Sequence, residues 1–414
     1  DVGWQVGATR LLYVSIVPTA KRDDYMAVYW AWLGLTSGFS QLFGGWLLTA
    51  TENLSGTVAG IALDPYTPLF LLGIVLPIAA IFVLRRIRDD TTIGMGGFAG
   101  IFLRGNPFLA LEAVVRFHLA KDEEAAVRVT KQLGASKSPL TVEELLAALE
   151  DPRFNVRIEA VIAIAHHGPD PRLIDAVAEV LDGPEPALST VAAWALGRMG
   201  DVRGLQPLRQ AAQDSKYRSV RAHSLRSLGV LDDRESVPLA LEGVAEESDV
   251  GMLLAHASML GRMQVTEATD RLLALLASSP SRSSRREMAL AVARLVGDEN
   301  NFVTLLYQCD QEAGTALAQA LLALRKRLDK GSAESSALEH CARTLARHEV
   351  AAGIDELAEL LQMLPSEQQA PHVAAIVQEA ARRMRQYGIE RLEYPILALH
   401  ALTVAWEAGA QSSV

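Results

Sequence analysis

Aromatic residues and cysteines are scarce in this sequence of 414 residues. Phe, Trp and Tyr together make up 6% of it, whereas apolar residues make up 50%. The apolar side chains are therefore mostly Ala, Leu, Val and Ile, a mixture that favours helices over strands. Cys309 and Cys341 stand alone in helical contexts, which excludes a disulfide framework and a cysteine zinc spacing. We predict an all-α fold with two idle thiols.

Motifs of several enzyme classes are also absent. The sequence contains no phosphate-binding glycine loop, no His-Glu-x-x-His, no nucleophile elbow and no Cys-x-x-Cys. These absences disfavour an ordinary hydrolase or NTPase. His166 and His167 are adjacent, so they point about 100° apart on a helix, and no third ligand recurs in register. We therefore expect no catalytic residue, no metal site and no cofactor.

The negative net charge is unevenly distributed along the chain. The total is −10, and residues 1–88 contain six Lys or Arg against five Asp or Glu, so residues 89–414 carry −11. A surface this acidic is repelled by phosphate backbones. We therefore predict no nucleic-acid partner, and we leave room for local basic ridges.

Two long uncharged stretches lie near the N-terminus. Residues 66–84 form a 19-residue run without a charged side chain, close to the length that crosses a membrane as a helix. Residues 25–48 form a second run with tryptophan towards both ends. Arg85, Arg86 and Arg88 follow the run at 66–84, and such a cluster stays on the cytoplasmic side. We predict an integral membrane protein whose chain beyond residue 88 lies in the cytoplasm.

An arginine lies in the apolar stretch that precedes these runs. Residues 2–17 are mostly apolar but too short for a complete span. Since the chain begins with Asp1 rather than Met, we interpret them as the rear half of a helix in a fragment of a longer protein. Arg10 lies in this stretch, and an ionisable group at membrane depth faces a cavity or a partner. A substrate-cavity contact and a helix-pairing or snorkelling role are both open for Arg10.

Four glycines in the run at 25–48 have a spacing typical of close helix pairing. Gly34 and Gly38 lie four residues apart, and Gly44 and Gly45 extend the same thin face. Small residues at this spacing let another transmembrane helix approach closely. We therefore predict a helix-packing role for all four.

The sequence RLLYVSIVPTAKRDDYMAVYWAWLGLTSGFSQLFGGWLL, followed by the run at 66–84, resembles the last helices of a major facilitator superfamily (MFS) transporter. The resemblance covers residues 1–88. It implies that Arg10 lies on the cavity-lining tenth helix and the four glycines on the eleventh, and it implies a small-molecule transport substrate of unknown identity. Residues 89–97 are polar and rich in glycine, so we place a linker at 89–105.

A sequence repeat follows this linker. The segments WALGRMGD, LRSLGVLDD, ASMLGRMQ and VARLVGDE recur at intervals of 31 to 34 residues. Two amphipathic helices per unit at such a period indicate a helical solenoid. We predict a helical hairpin and repeats at 106–299, degenerate repeats with a helical cap at 300–409, and a tail at 410–414.

One repeat resembles a known family. TVAAWALGRMGDVRGLQPL is similar to the phycobilisome-lyase type of HEAT repeat, which implies an α-solenoid. Alignment of the repeats places Arg198, Arg262 and Arg294 at one position, with His166 and Val230 there in two other repeats. Stacking produces a broken basic ridge that suits an acidic peptide or headgroup, because guanidinium groups bind carboxylate and phosphate bidentately. Pairing with acidic side chains of the adjacent repeat is the alternative.

Trp194 occupies an outward-pointing position on its helix, either as an exposed contact anchor or half-buried against the next repeat.

Together the patterns predict transmembrane helices of a partial MFS bundle followed by a cytosolic HEAT-like solenoid. The predicted function is the C-terminal part of a transporter, not an enzyme, whose solenoid regulates it or binds an unidentified protein. A membrane-anchored scaffold without transport is one alternative. A HEAT-like lyase or other solenoid enzyme is another, because bilin lyases and iron-binding hydroxylases contain such repeats.

Overall fold

The structure, a computed structural model, describes residues 22–52, 54, 56–58, 61–84, 107–120, 122–327, 333–347, 349–363 and 370–411. The chain divides into two compact units, Asp1–Gly94 and Met95–Val414. Arg10, the arginine cluster at 85–88 and the predicted linker at 89–105 lie outside the described residues.

The first unit contains two helices and a short hairpin. They are α1 (Arg22–Ala50), β1 (Gly56–Val58), β2 (Ile61–Leu63) and α2 (Thr67–Leu84). The two strands are antiparallel, a small departure from the all-α prediction. Asp64 precedes α2, and its Oδ1 accepts a hydrogen bond from the Tyr66 amide at 3.1 Å. A carboxylate at this point satisfies an amide that the helix itself leaves unpaired.

Within the described residues, no helix combines the length and the apolar composition needed to cross a membrane. α2 has 18 residues, about 27 Å at the helical rise and close to the lower limit for a spanning helix. α1 has 29 residues but opens with three charged residues and carries Gly, Ser, Thr and Gln along its length. The transmembrane spans predicted at 25–48 and 66–84 are therefore wrong. The predictions of a partial MFS bundle and of an integral-membrane localisation depended on these spans and are wrong as well, and no finding supports the predicted membrane partner.

The glycines of α1 have few neighbours among the described residues. A Cβ added to Gly34, Gly38 or Gly45 would meet no atom within 4 Å, whereas one added to Gly44 would lie 3.8 Å from Leu69 Cδ1 on α2. Within the described part of this unit, only Gly44 therefore lies at a contact between helices. A packing role for the other three stays a prediction.

The second unit is an array of antiparallel helix pairs. Its helices up to the end of the array are α3 (Pro107–Leu119), α4 (Glu123–Ser136), α5 (Val142–Leu149), α6 (Phe154–His167), α7 (Pro171–Leu181), α8 (Pro186–Met199), α9 (Leu205–Asp214), α10 (Arg218–Val230), α11 (Val237–Glu246), α12 (Val250–Arg262), α13 (Thr269–Ser278) and α14 (Arg282–Val296). We call the odd-numbered members of α5–α14 the first helices and the even-numbered ones the second helices. One continuous apolar core runs between the two layers.

The same backbone conformation recurs just beyond the ends of α8, α10 and α12. Gly200, Asp232 and Gln264 lie 32 residues apart and have φ values of 73°, 53° and 52°. This left-handed conformation ends a helix and lets the chain reverse direction. At the first of these turns, the Asp201 carboxylate then accepts a hydrogen bond of 2.9 Å from the Arg203 amide. These three positions, which lie in or just after the repeated sequence segments, are therefore the turns of the solenoid.

Neighbouring second helices pack closely because glycine lies where they cross. A Cβ added to Gly197 would lie 2.7 Å from Ser227 Cβ, one added to Gly229 would lie 2.9 Å from Met259 Cα, and one added to Gly261 would overlap the Ala291 carbonyl. Contacts between neighbouring first helices are much sparser. The layer of second helices is therefore the tighter one, and the array curves towards it.

The C-terminal helices fold back on the array. They are α15 (Glu299–Arg325), α16 (Ala333–Ala346), α17 (Val350–Met363), α18 (Pro371–Tyr387) and α19 (Glu393–Gln411). α15 is interrupted at Glu312, whose φ and ψ are −152° and 93°. α19 packs on α14 and α15, where His400 Nε2 lies 3.2 Å from the Ala293 carbonyl oxygen. These helices cover the apolar end of the array, which a solenoid requires at its terminus.

We expect Gly261→Ala to destabilise the protein by about 1–3 kcal/mol, because the added methyl group overlaps a backbone carbonyl that cannot move independently. Gly251→Ala on the same helix is the matched control. Gly251 is exposed, and its new methyl group would meet only a side-chain oxygen of Asp249, at 3.2 Å. Urea unfolding of the full chain measures both. Equal stability of the two variants would show that the second helices are not held at this distance.

We expect the free energy of unfolding to fall as the pH drops below about 6.5, the ordinary pKa of histidine. Burial lowers the pKa of His400 and of His256. Because the unfolded chain then binds protons more readily than the folded one, each neutral imidazole contributes stability that is present above pH 6.5 and lost below it. His400→Gln should have a shallower dependence between pH 7 and pH 5 than the unsubstituted chain. Identical slopes would contradict the assignment.

Candidate functional site

The five equivalent positions found in the sequence form one row along the second helices. His166, Arg198, Val230, Arg262 and Arg294 lie 32 residues apart, one each on α6, α8, α10, α12 and α14. His166, Arg198, Val230 and Arg262 are exposed, and Arg294 retains 11% of its side-chain exposure. We call this set the inner row and the surface around it the inner face.

The inner face is concave around α12. Arg226 on α10 donates a hydrogen bond of 2.8 Å to Glu287 on α14, two repeats further along the chain. The positions on α12 that are 32 residues from Glu287 and from Arg226 hold Ala255 and Ser258, which are small and buried. Side chains from helices two repeats apart meet only where the helix between them is recessed. This pair therefore records the curvature that the glycine contacts produce.

The C-terminal end of the inner row is neutralised from within the chain. The Arg294 guanidinium donates hydrogen bonds of 2.8 and 2.9 Å to the two carboxylate oxygens of Glu299 and one of 3.0 Å to Ser258 Oγ. Arg262 lies 3.7 Å from the same carboxylate. The hydrogen bonds from Arg294 lower the pKa of Glu299. The pKa of Arg262 is lowered mainly by partial burial of its guanidinium and, to a smaller extent, by repulsion from Arg294. Two cations thus share one carboxylate, and a net positive charge remains.

The N-terminal part of the row combines an aromatic ring with a guanidinium group that has no partner among the described residues. Trp194 lies one helical turn before Arg198 and is 38% exposed. Its ring centroid lies 6.1 Å from that of His166, with the ring planes tilted by 55°. Within the described part of the chain, the Arg198 guanidinium forms no hydrogen bond or ion pair. An exposed tryptophan beside an unpaired guanidinium is well suited to bind an apolar side chain and a carboxylate together.

Both cysteines are unsuited to nucleophilic chemistry. Burial raises the pKa of Cys309 and of Cys341 to about 12, so both are thiols at neutral pH. Cys341 lines a cavity of about 460 Å³ between α16 and α17 together with His340 and Glu356. The described residues contain no group of three side chains placed to hold a metal ion.

Repeat spacing alone did not identify every residue of the inner face. Arg226 could have been found, because it lies 32 residues after Trp194 and therefore occupies the equivalent position in the next repeat. Glu287 and Glu299 were missed because their roles depend on curvature and on a turn beyond α14. Pairing within the array, the alternative considered for the arginines, is found for Arg294 and weakly for Arg262.

A match to a family of repeats lies within the helical array. Residues 142–228 match a family profile described as HEAT repeats. No curated protein matches the chain. A complex of CpcE and CpcF of phycocyanin lyase from Nostoc sp. PCC7120 matches at 16% identity with a TM-score of 0.37, covering 63% of this chain and 99% of that one. Human deoxyhypusine hydroxylase in complex with glycerol matches at 16% identity with a TM-score of 0.30, covering 68% of this chain and 98% of that one. The helix pairs of the array and the HEAT-repeat match at 142–228 confirm the predicted HEAT-like solenoid.

A double-mutant cycle on Arg226 and Glu287 tests the curvature. We expect a coupling free energy of about 0.2–1 kcal/mol, because both groups are partly exposed and water screens them. The measurement is urea unfolding of the two single alanine variants and the double variant. A control cycle pairs Arg226 with Glu242, an exposed carboxylate on the first helix α11. No coupling in the first cycle, or equal coupling in both, would mean that α10 and α14 do not meet across α12.

Proposed function

We propose that this protein is a scaffold that binds another protein along the inner face of its solenoid, and that it is not an enzyme. The observation that carries the proposal is that Trp194 and Arg198, one helical turn apart on α8, are both exposed towards the N-terminal end of the inner row. Tryptophan and arginine contribute disproportionately to binding energy at protein interfaces. Here the tryptophan is 38% exposed, and the arginine lacks a partner among the described residues.

The shape and rigidity of the inner face favour the same function. Its curvature brings side chains of several helices to one surface, as the contact between Arg226 and Glu287 shows. Because glycine holds neighbouring second helices at close contact, a partner meets a surface that is already ordered and loses little further entropy on binding. The HEAT repeats supply the framework, and the inner row supplies the chemical selectivity.

Site-specific photo-crosslinking in the native host tests this proposal. A benzophenone amino acid replaces Trp194 in one variant of the full chain and Val202 in the other. Val202 is 76% exposed but lies in the turn after α8, so it is the more accessible position outside the inner face. We expect a discrete crosslinked protein from position 194 and none from position 202. Equal products from both positions, or none from 194, would contradict the proposal.

A further inference from the structure

The charges of the inner row restrict the chemistry of its partner. Arg294 is saturated by Glu299 and Ser258. Arg262 lies 3.7 Å from the Glu299 carboxylate, which is a long distance for an ion pair, and Arg294 already forms hydrogen bonds with both oxygens of that carboxylate. Arg198 has no partner in the described part of the chain. Two under-neutralised cations therefore lie two repeats apart, and the 49% exposed side chain of Val230 lies on the helix between them.

Glu299 shows how a carboxylate binds to this row. Its two oxygens accept both hydrogen bonds of the Arg294 fork, while the carboxylate stays within 3.7 Å of Arg262 on the preceding second helix. The chain thus supplies an acidic group at the last position of the inner row. Arg198, further towards the N-terminus, offers the same guanidinium chemistry, and no carboxylate of the described residues pairs with it.

The spacing of the row selects a backbone conformation. The axes of packed helices lie about 8–10 Å apart, and we take this distance as the repeat of the row from Arg198 through Val230 to Arg262. A polyproline II segment has three residues per turn and advances about 9.3 Å per turn, so every third side chain lies on one face at this spacing. A β-strand presents every second residue, at about 6.6 Å, and does not fit.

We propose that the inner row binds a polyproline II segment with the pattern acidic-x-x-apolar-x-x-acidic. The two acidic residues pair with Arg198 and Arg262, and the apolar residue packs on Val230. Arg226, one turn before Val230, does not attract a third carboxylate because Glu287 already neutralises it. The pattern reads the same in both directions, so it does not depend on the orientation of the segment. This inference rests on the proposed function, because it names the partner chemistry of the same face.

Fluorescence anisotropy with three labelled peptides and the full chain tests the register. The matched peptide contains Glu-Pro-Pro-Leu-Pro-Pro-Glu, the second contains Glu-Pro-Leu-Pro-Glu, and the third has Lys in place of each Glu of the first. We expect the matched peptide to bind at least about tenfold more tightly than either other peptide, since charge-assisted hydrogen bonds form only at the matched spacing. Equal affinity of the matched and shortened peptides, or no binding at millimolar peptide, would overturn the inference.

Substitutions in the chain identify the residues that the peptide contacts. Arg198→Ala and Arg262→Ala should each weaken binding of the matched peptide about five- to tenfold. Arg172→Ala, at an exposed arginine on the first helix α7, is the matched control and should leave the affinity unchanged. Circular dichroism of each variant checks that its helix content is intact. Equal losses in all three variants would show that the peptide responds to net charge alone, which contradicts the inference.

Three further outcomes separate this inference from the proposed function. If matched and shortened peptides bind equally well and both lose affinity in Trp194→Ala, the register is wrong while the inner face remains the binding surface. If a short single-stranded RNA binds more tightly than the matched peptide and depends on Arg198, the row recognises phosphate groups and the peptide assignment is overturned. If position 194 yields no crosslink in the host, the proposed function itself fails.

Discussion

The distance between neighbouring second helices depends on residues that have no side chain. At Gly197, the next helix lies so near that a Cβ would be 2.7 Å from Ser227. Protein interiors are packed too densely to absorb such an atom without movement. Because first helices make sparser contacts with each other, the array bends towards the second helices, and Arg226 reaches Glu287 across α12. The concave face, the alignment of the inner row and the spacing offered to a partner all follow from this constraint.

The electrostatic character of the inner face varies along its length. At the C-terminal end of the row, the Glu299 carboxylate forms an ion pair with Arg294 and lies 3.7 Å from Arg262. At the other end, Trp194 and Arg198 stay available. The chain as a whole carries a net charge of −10, so an acidic partner is repelled by most of the surface and attracted by this row. Such an arrangement favours one orientation of the partner and disfavours binding elsewhere.

The sequence predicted the solenoid well because its signal is local and repeated. The 32-residue spacing placed the arginines of the inner row on one surface of the second helices. The contact between His400 and Ala293 joins residues that are 107 positions apart in the chain, and the period of the repeats does not predict it. The membrane prediction failed for a different reason. The absence of charge in a run shows that the segment is apolar, but a span also requires enough length and apolar composition in one helix, and no described helix combines the two.

Hydroxyl-radical footprinting of the full chain, with and without the matched peptide, tests the central claim most directly. The method reports the solvent exposure of individual side chains at once. We expect protection of Trp194 and Val230, which lie on the inner face, and none of Val202 or Met363, which are exposed elsewhere. Protection of Val202 or Met363 with Trp194 unchanged would show that binding occurs on another surface and would contradict the assignment of the inner face.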